Sequence, residues 1–192
     1  MEDRSDKPAA RRAPGATREK LVEAAGQEFN AHGFFGTDTN RIARRAGFAP
    51  QTFYRHFADK TDVFIAVYER WQADERRAIG AALRARPEGM AAETAIAAVA
   101  VEHHRAWRGF RRSLRLLAVE DERVRAARNA GRAAQLRALP SAPGTSYARR
   151  LAALLTLERL SDAAADDEIA DMGVELDDWL ALLAEAIRIA RG

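Results

Sequence analysis

The pair Gly47 and Pro50, three residues apart inside residues 37–60, constrains this chain most. Glycine enters the left-handed region after a helix without a Cβ clash, and proline is best tolerated at the first position of a new helix. The pair therefore predicts two short helices joined by a tight turn. Thr37 or Asp38 can cap the first by accepting a hydrogen bond from an orphan backbone N–H, and Ile42, Ala43 and Ala46 recur behind it at helical spacing. Phe48 gives the turn an apolar anchor. The second helix is expected over residues 50–57. Phe53 and Phe57 turn to a core, while Gln51, Thr52, Tyr54, Arg55 and His56 ring the remaining surface. Hydrogen-bonding groups dominate that outward set, which suits a surface that reads nucleic acid.

Phe29, Gly33, Thr37, Ile42-Ala43, Ala46-Gly47, the run Thr52-Phe53-Tyr54-Arg55-His56-Phe57 and Lys60 stand in the order and spacing of a known domain. Over residues 17–68, about a third of the chain, the sequence resembles the amino-terminal domain of the TetR family of transcriptional regulators. It departs from that pattern at Ala49, where the family often has a serine cap, and at Thr39, which replaces a common valine. The resemblance implies a repressor that binds a palindromic operator as a homodimer and is released by a small-molecule effector; the alternative is a DNA-binding regulator with a filled core and no effector. Carried over residue by residue, the DNA-facing set is Thr39, Asn40, Gln51, Thr52, Tyr54, Arg55, His56 and Lys60. The amides of Gln51 and Asn40 can read adenine or bridge base and phosphate, Arg55 can read guanine, and Thr39, Tyr54, His56 and Lys60 suit the backbone.

At 192 residues the chain can bury a sizeable core. Zero cysteines exclude disulfides and thiolate metal sites. With no leader pattern and no 18-residue apolar run, the expectation is a cytoplasmic protein without a membrane partner. Residues 1–60 hold 11 Lys+Arg against 8 Asp+Glu, and residues 61–192 hold 20 against 20, so the net charge of +3 sits on the side expected to meet DNA. Residues 1–16, basic and without apolar periodicity, are expected to be a disordered tail.

The remaining pattern is helical throughout, so the expected fold is all-α: an amino-terminal three-helix helix-turn-helix domain (residues 17–60) joined by a long helix to a larger helical ligand-binding and dimerisation domain (residues 61–192). The first helix is expected over residues 17–32, and the long one from Thr61 to a stop before Pro87. Further helices are expected over residues 90–107, 110–119, 121–139, 147–160 and 176–190, with a loop at 140–146 and an acidic separator at 161–175. Leu151, Leu154 and Leu155 on one segment, and Trp179, Leu183 and Ile187 on the other, are expected at a dimer interface; the same stripes would also serve ordinary core packing within one chain. Trp71, His103, Trp107, Phe110 and Leu114 are candidate walls of an effector cavity or plain core. Arg108, Arg111, Arg112 and Arg115 share one helical side, which is either a solvated face or an anion site. Adjacent His103 and His104 point about 100° apart and do not form a metal pair. No phosphate loop, nucleophile elbow or other catalytic pattern is present, and neither an enzyme nor a cofactor is expected.

Overall fold

The computed structural model describes residues 15–138 and 143–191. The helices are α1 (Ala16–His32), α2 (Thr39–Arg45), α3 (Pro50–Tyr54), α4 (Lys60–Ala85), α5 (Ala92–Ala106), α6 (Arg108–Glu120), α7 (Glu122–Ala138), α8 (Tyr147–Ala165), α9 (Glu168–Asp171) and α10 (Leu176–Arg191), with no strand among the described residues. The expected tail lies outside the described residues up to position 14, and Ala16 already opens α1. Residues 139–142 of the expected loop also lie outside them.

The punctuation acts as its chemistry dictates. Asp38 caps α2 by accepting from the Arg41 N–H at 2.8 Å, whereas the buried Thr37 hydroxyl donates back to the Gly33 carbonyl at 2.9 Å. Gly47 adopts φ 78°, and Pro50 opens α3 after Ala49, which offers no side-chain cap. This α3 is shorter than expected, closing at Tyr54; one more helical bond, from the Phe57 N–H to the Phe53 carbonyl at 3.0 Å, carries Phe57 onto Phe53. Asp59 then caps α4 through the Asp62 N–H at 2.7 Å, while Asp62 accepts from the Ala58 N–H. At ~1.5 Å per residue, the 26 residues of α4 extend about 39 Å.

One hydrophobic cluster runs from Phe29 and Phe53 through Phe64 to Phe110, Leu114 and Val124, so the amino-terminal helices share their core with α4, α6 and α7. The joint between α1 and α6 is close. A Cβ on Gly109 would lie 2.0 Å from the Asn30 carbonyl, and the Asn30 side chain donates to the Ala106 carbonyl at 2.8 Å and accepts from the Phe110 N–H at 3.2 Å. Asn30 thus satisfies both the end of α5 and the start of α6. A second cluster joins Ala97 and Val101 of α5, Ala163 and Ala164 of α8, Ile169, and Leu183 and Ile187 of α10.

Two expectations are corrected here. The acidic stretch does not begin at Ser161, because α8 continues to Ala165, and Asp162 is buried against cationic partners. Leu183 and Ile187 are not interfacial: they are 0% and 5% exposed inside their own chain, and Trp179 is half-buried with its indole N–H donating to the Leu160 carbonyl at 3.0 Å. Leu154 is likewise buried and Leu151 half-buried, whereas Leu155 of α8 and Leu182 of α10 stand exposed.

Candidate nucleic-acid interface

Phe53 and Phe57 seat α3 in the core, and this leaves Gln51, Tyr54 and Arg55 fully on the outside with Thr52 and His56 partly exposed. Tyr54 is 59% exposed, and its hydroxyl lies 3.0 Å from the Thr39 Oγ1, across the turn on the first residue of α2. Asn40 follows Thr39 into solvent. Seven of the eight expected residues therefore gather on one surface formed by the start of α2 and the outer side of α3. The local cause is the short turn: Gly47 and Pro50 bring α3 across α2 without a longer connection.

Lys60 is the exception. Its ammonium donates to the Phe34 carbonyl at 2.8 Å and the Thr37 carbonyl at 2.9 Å and lies 4.2 Å from the centre of the Phe34 ring. Burial lowers its pKa. Lys60 is thus committed to the segment before α2, not projected freely outward.

Sequence reasoning also overlooked a buried anchor beneath α2. Glu28 of α1, 3% exposed, pairs with Arg41 at 2.9 Å and with Arg45, fixing the side of α2 that faces away from Thr39. Burial alone would raise the Glu28 carboxyl, but the Arg45 hydrogen bond and the charges of Arg45 and Arg41 outweigh it and hold the pKa below its usual value. The arginine density of residues 41–45 was the signal available; that two of these residues turn onto one carboxylate, leaving Arg44 exposed, depends on tertiary placement.

Above this interface, Tyr68, Trp71, Gln72 and Glu75 of α4 form one wall of an interior cavity of about 20 Å³ closed by α5, α6, α7 and α8. Of the five candidate effector residues only Trp71 lines it. Phe110 and Leu114 are wholly buried in the shared core, Trp107 packs on Phe110 and over Gly26, and His103 bonds the Trp71 carbonyl at 3.1 Å, with burial lowering its pKa. The arginine cluster is divided: Arg108 and Arg112 are exposed, as a solvated face would have them, whereas Arg111 is buried and Arg115 half-buried, and all four meet carboxylates of the chain itself. Arg111 is buried on Asp162, Arg115 bridges Asp162 and Asp166, Arg112 meets Asp166, and Arg108 meets Asp167. His104 completes the group, 2.9 Å from Asp162 and 3.6 Å from Glu75. Among the described residues no group of three or more His, Cys, Asp or Glu side chains could hold a metal, and no helix is long and apolar enough to cross a membrane.

A helix-turn-helix unit whose core is continued by a larger helical body defines the class. Residues 21–67 match the model of the bacterial regulatory proteins of the tetR family, so the amino-terminal part of the chain is a TetR-type helix-turn-helix domain. The chain is 37% identical over 65 residues to the HTH-type transcriptional repressor SCO4008 of Streptomyces coelicolor, a match spanning 34% of this chain and 34% of that protein. The whole fold is similar to that of a TetR-family transcriptional regulator from Rhodococcus sp. (TM-score 0.71, 18% identity, 92% of this chain and 98% of that one). It also resembles GusR of Salmonella enterica (TM-score 0.67, 16% identity, 93% and 97%).

Proposed function

We propose that this protein is a DNA-binding transcriptional repressor that grips a palindromic operator as a homodimer and is released when a small molecule enters its carboxy-terminal domain. The observation that carries this reading is the continuity of α4. Its first residue, Lys60, holds the segment leading into α2, and its third to fifth turns line the interior cavity with Tyr68, Trp71, Gln72 and Glu75. A dimer must present two recognition helices ~34–36 Å apart to successive major grooves, so a change in the tilt of α4 alters the match to DNA. The name of the Streptomyces relative supports repression.

The small cavity volume favours a second reading, a regulator with a filled core and no effector. Against it stand the Trp71 indole N–H and the Ser161 hydroxyl, buried in the cavity wall without hydrogen-bond partners. Fluorescence anisotropy with a labelled operator, combined with sedimentation, tests the main reading. The expected result is a dimer that binds specific duplex tightly and loses it on addition of an effector; a monomer that binds all duplexes equally would refute it.

A further inference from the structure

The interior cavity presents an unusual set of uncommitted polar groups. Trp71 is 3% exposed and Ser161 is 0% exposed, and both line it; the Trp71 indole N–H and the Ser161 hydroxyl have no hydrogen-bond partner. Gln72 and Gln135 line the same cavity, and neither side-chain amide makes a hydrogen bond among the described residues. Buried polar groups are almost always paired, because desolvation without a partner is costly. These two buried groups, from α4 and α8, with the half-buried amides of Gln72 and Gln135 beside them, point to something that pairs with them.

The charges at the cavity, by contrast, are spent on one another. Arg111 gives two hydrogen bonds of 3.0 Å to Asp162, and Glu158 receives Arg128 at 2.9 Å and Arg132 at 2.6 Å. Glu75 faces His104. Arg111 and Arg115 thus stand on Asp162, Arg128 and Arg132 on Glu158, and His104 between Asp162 and Glu75, so each of these guanidiniums is already held by a carboxylate and none stands free for a carboxylate or phosphate ligand. Beside the Tyr68 and Trp71 rings the apolar wall is limited to Ala100, Leu154 and Leu157, and the space between them is too small for an acyl chain. The volume of about 20 Å³ fits a single water as the side chains stand. The uncharged Gln72 and Gln135 are the half-buried gates to a larger space.

We infer that the cavity takes a small, uncharged molecule rich in hydroxyl or amide groups, bonded by Trp71 and Ser161 and admitted by rotation of Gln72 and Gln135. This assignment rests on the effector reading above and narrows it by chemical class. Gly131 offers a control. A Cβ there would lie 2.5 Å from the Gln72 side-chain nitrogen, the far end of a flexible side chain, so Gly131→Ala drives the amide into the cavity without forcing backbone apart.

Calorimetric titration of the full chain with glycerol, acetamide, glucose and N-acetylglucosamine, beside octanoate and inorganic phosphate, tests the class. The expected result is saturable one-to-one binding of at least one neutral probe. Ser161→Ala and Trp71→Phe should each weaken it about tenfold, as loss of one buried hydrogen bond does, and Gly131→Ala should abolish it. Saturable binding by none of the four neutral probes, tighter binding of octanoate or phosphate, or undiminished binding by both Ser161→Ala and Trp71→Phe would overturn the class. Operator release is scored separately. Octanoate that frees DNA while the neutral probes fail to bind refutes the class and leaves the effector reading standing; a neutral probe that binds through Ser161 and Trp71 but leaves DNA bound supports the class and refutes that reading.

Discussion

Arg111 and Asp162 are 51 residues apart in sequence and joined by two hydrogen bonds of 3.0 Å, both side chains almost wholly buried. The pair ties α6, which docks on α1, to α8. Removing one partner strands the other charge, which costs ~3–5 kcal/mol. Asp162→Ala is therefore expected to lower the unfolding free energy by about that amount. Burial would raise the Asp162 carboxyl, but the His104 hydrogen bond and the Arg111 charge and bond outweigh it and hold it well below the usual carboxylate range. Because the folded value is depressed, the unfolded chain takes up the proton first. The stabilisation is present above the ordinary value of ~3.9 and is lost as pH falls toward the folded one. Melting curves between pH 7 and pH 2 check this: the wild type should lose stability in acid more steeply than Asp162→Ala, and parallel curves would contradict it.

Tyr54 and Lys60 are expected to separate by readout. Tyr54→Phe removes an exposed hydroxyl that meets Thr39, so operator affinity should fall with a melting temperature almost unchanged. Lys60→Ala removes two charge-assisted bonds to the carbonyls before α2, so stability should fall by ~1–3 kcal/mol. If Lys60 acts within the fold, its loss leaves the salt slope of log K unchanged; a slope reduced by about 0.9 would mark it instead as a phosphate contact.

Gln51, exposed on α3, is expected to read bases. Its replacement by alanine should change which operator bases are preferred, because base edges specify whereas phosphate contacts only position. Sequencing of duplexes selected by wild type and by Gln51→Ala checks this, and identical consensus motifs would remove the assignment.

The oligomer surface is expected at the exposed side of α8 and α10. Leu155→Glu with Leu182→Glu should leave the helical content intact and release monomers, since both side chains are exposed, Leu182 at 56%. Leu183→Glu with Ile187→Glu should unfold the carboxy-terminal helices, because these side chains fill the chain's own core and an unpaired buried charge costs several kcal/mol. Sedimentation with circular dichroism checks both. A folded dimer that persists in the first variant places the interface elsewhere.

What the sequence made legible was local. Gly47, Pro50, Asp38 and Pro87 act on their own neighbours, so the turn, the α2 cap and the end of α4 could be read from spacing. What it concealed depends on distant partners. The arginines of α6 look like a solvated face until Asp162 and Asp166, some fifty residues on, neutralise them, and the same pairing lets α8 run on through its acidic end. The stripe of Trp179, Leu183 and Ile187 was visible as apolar, but periodicity states that a face is buried, not which surface buries it. The bonds of Lys60 were hidden for the same reason: a lysine at a helix start reads as freely exposed until the carbonyls of Phe34 and Thr37 are seen beside it.

The central claim is that the surface of Thr39, Asn40, Gln51, Tyr54 and Arg55 reads specific duplex DNA twice, once per subunit of a dimer. Selection of bound duplexes from a random library by the full wild-type chain tests it most directly. The expected outcome is an enriched inverted repeat whose half-sites lie about one helical turn apart, bound at least ~10³-fold more tightly than unselected DNA. A pool that shows no enriched sequence after repeated rounds, with affinity governed by salt alone, would contradict it.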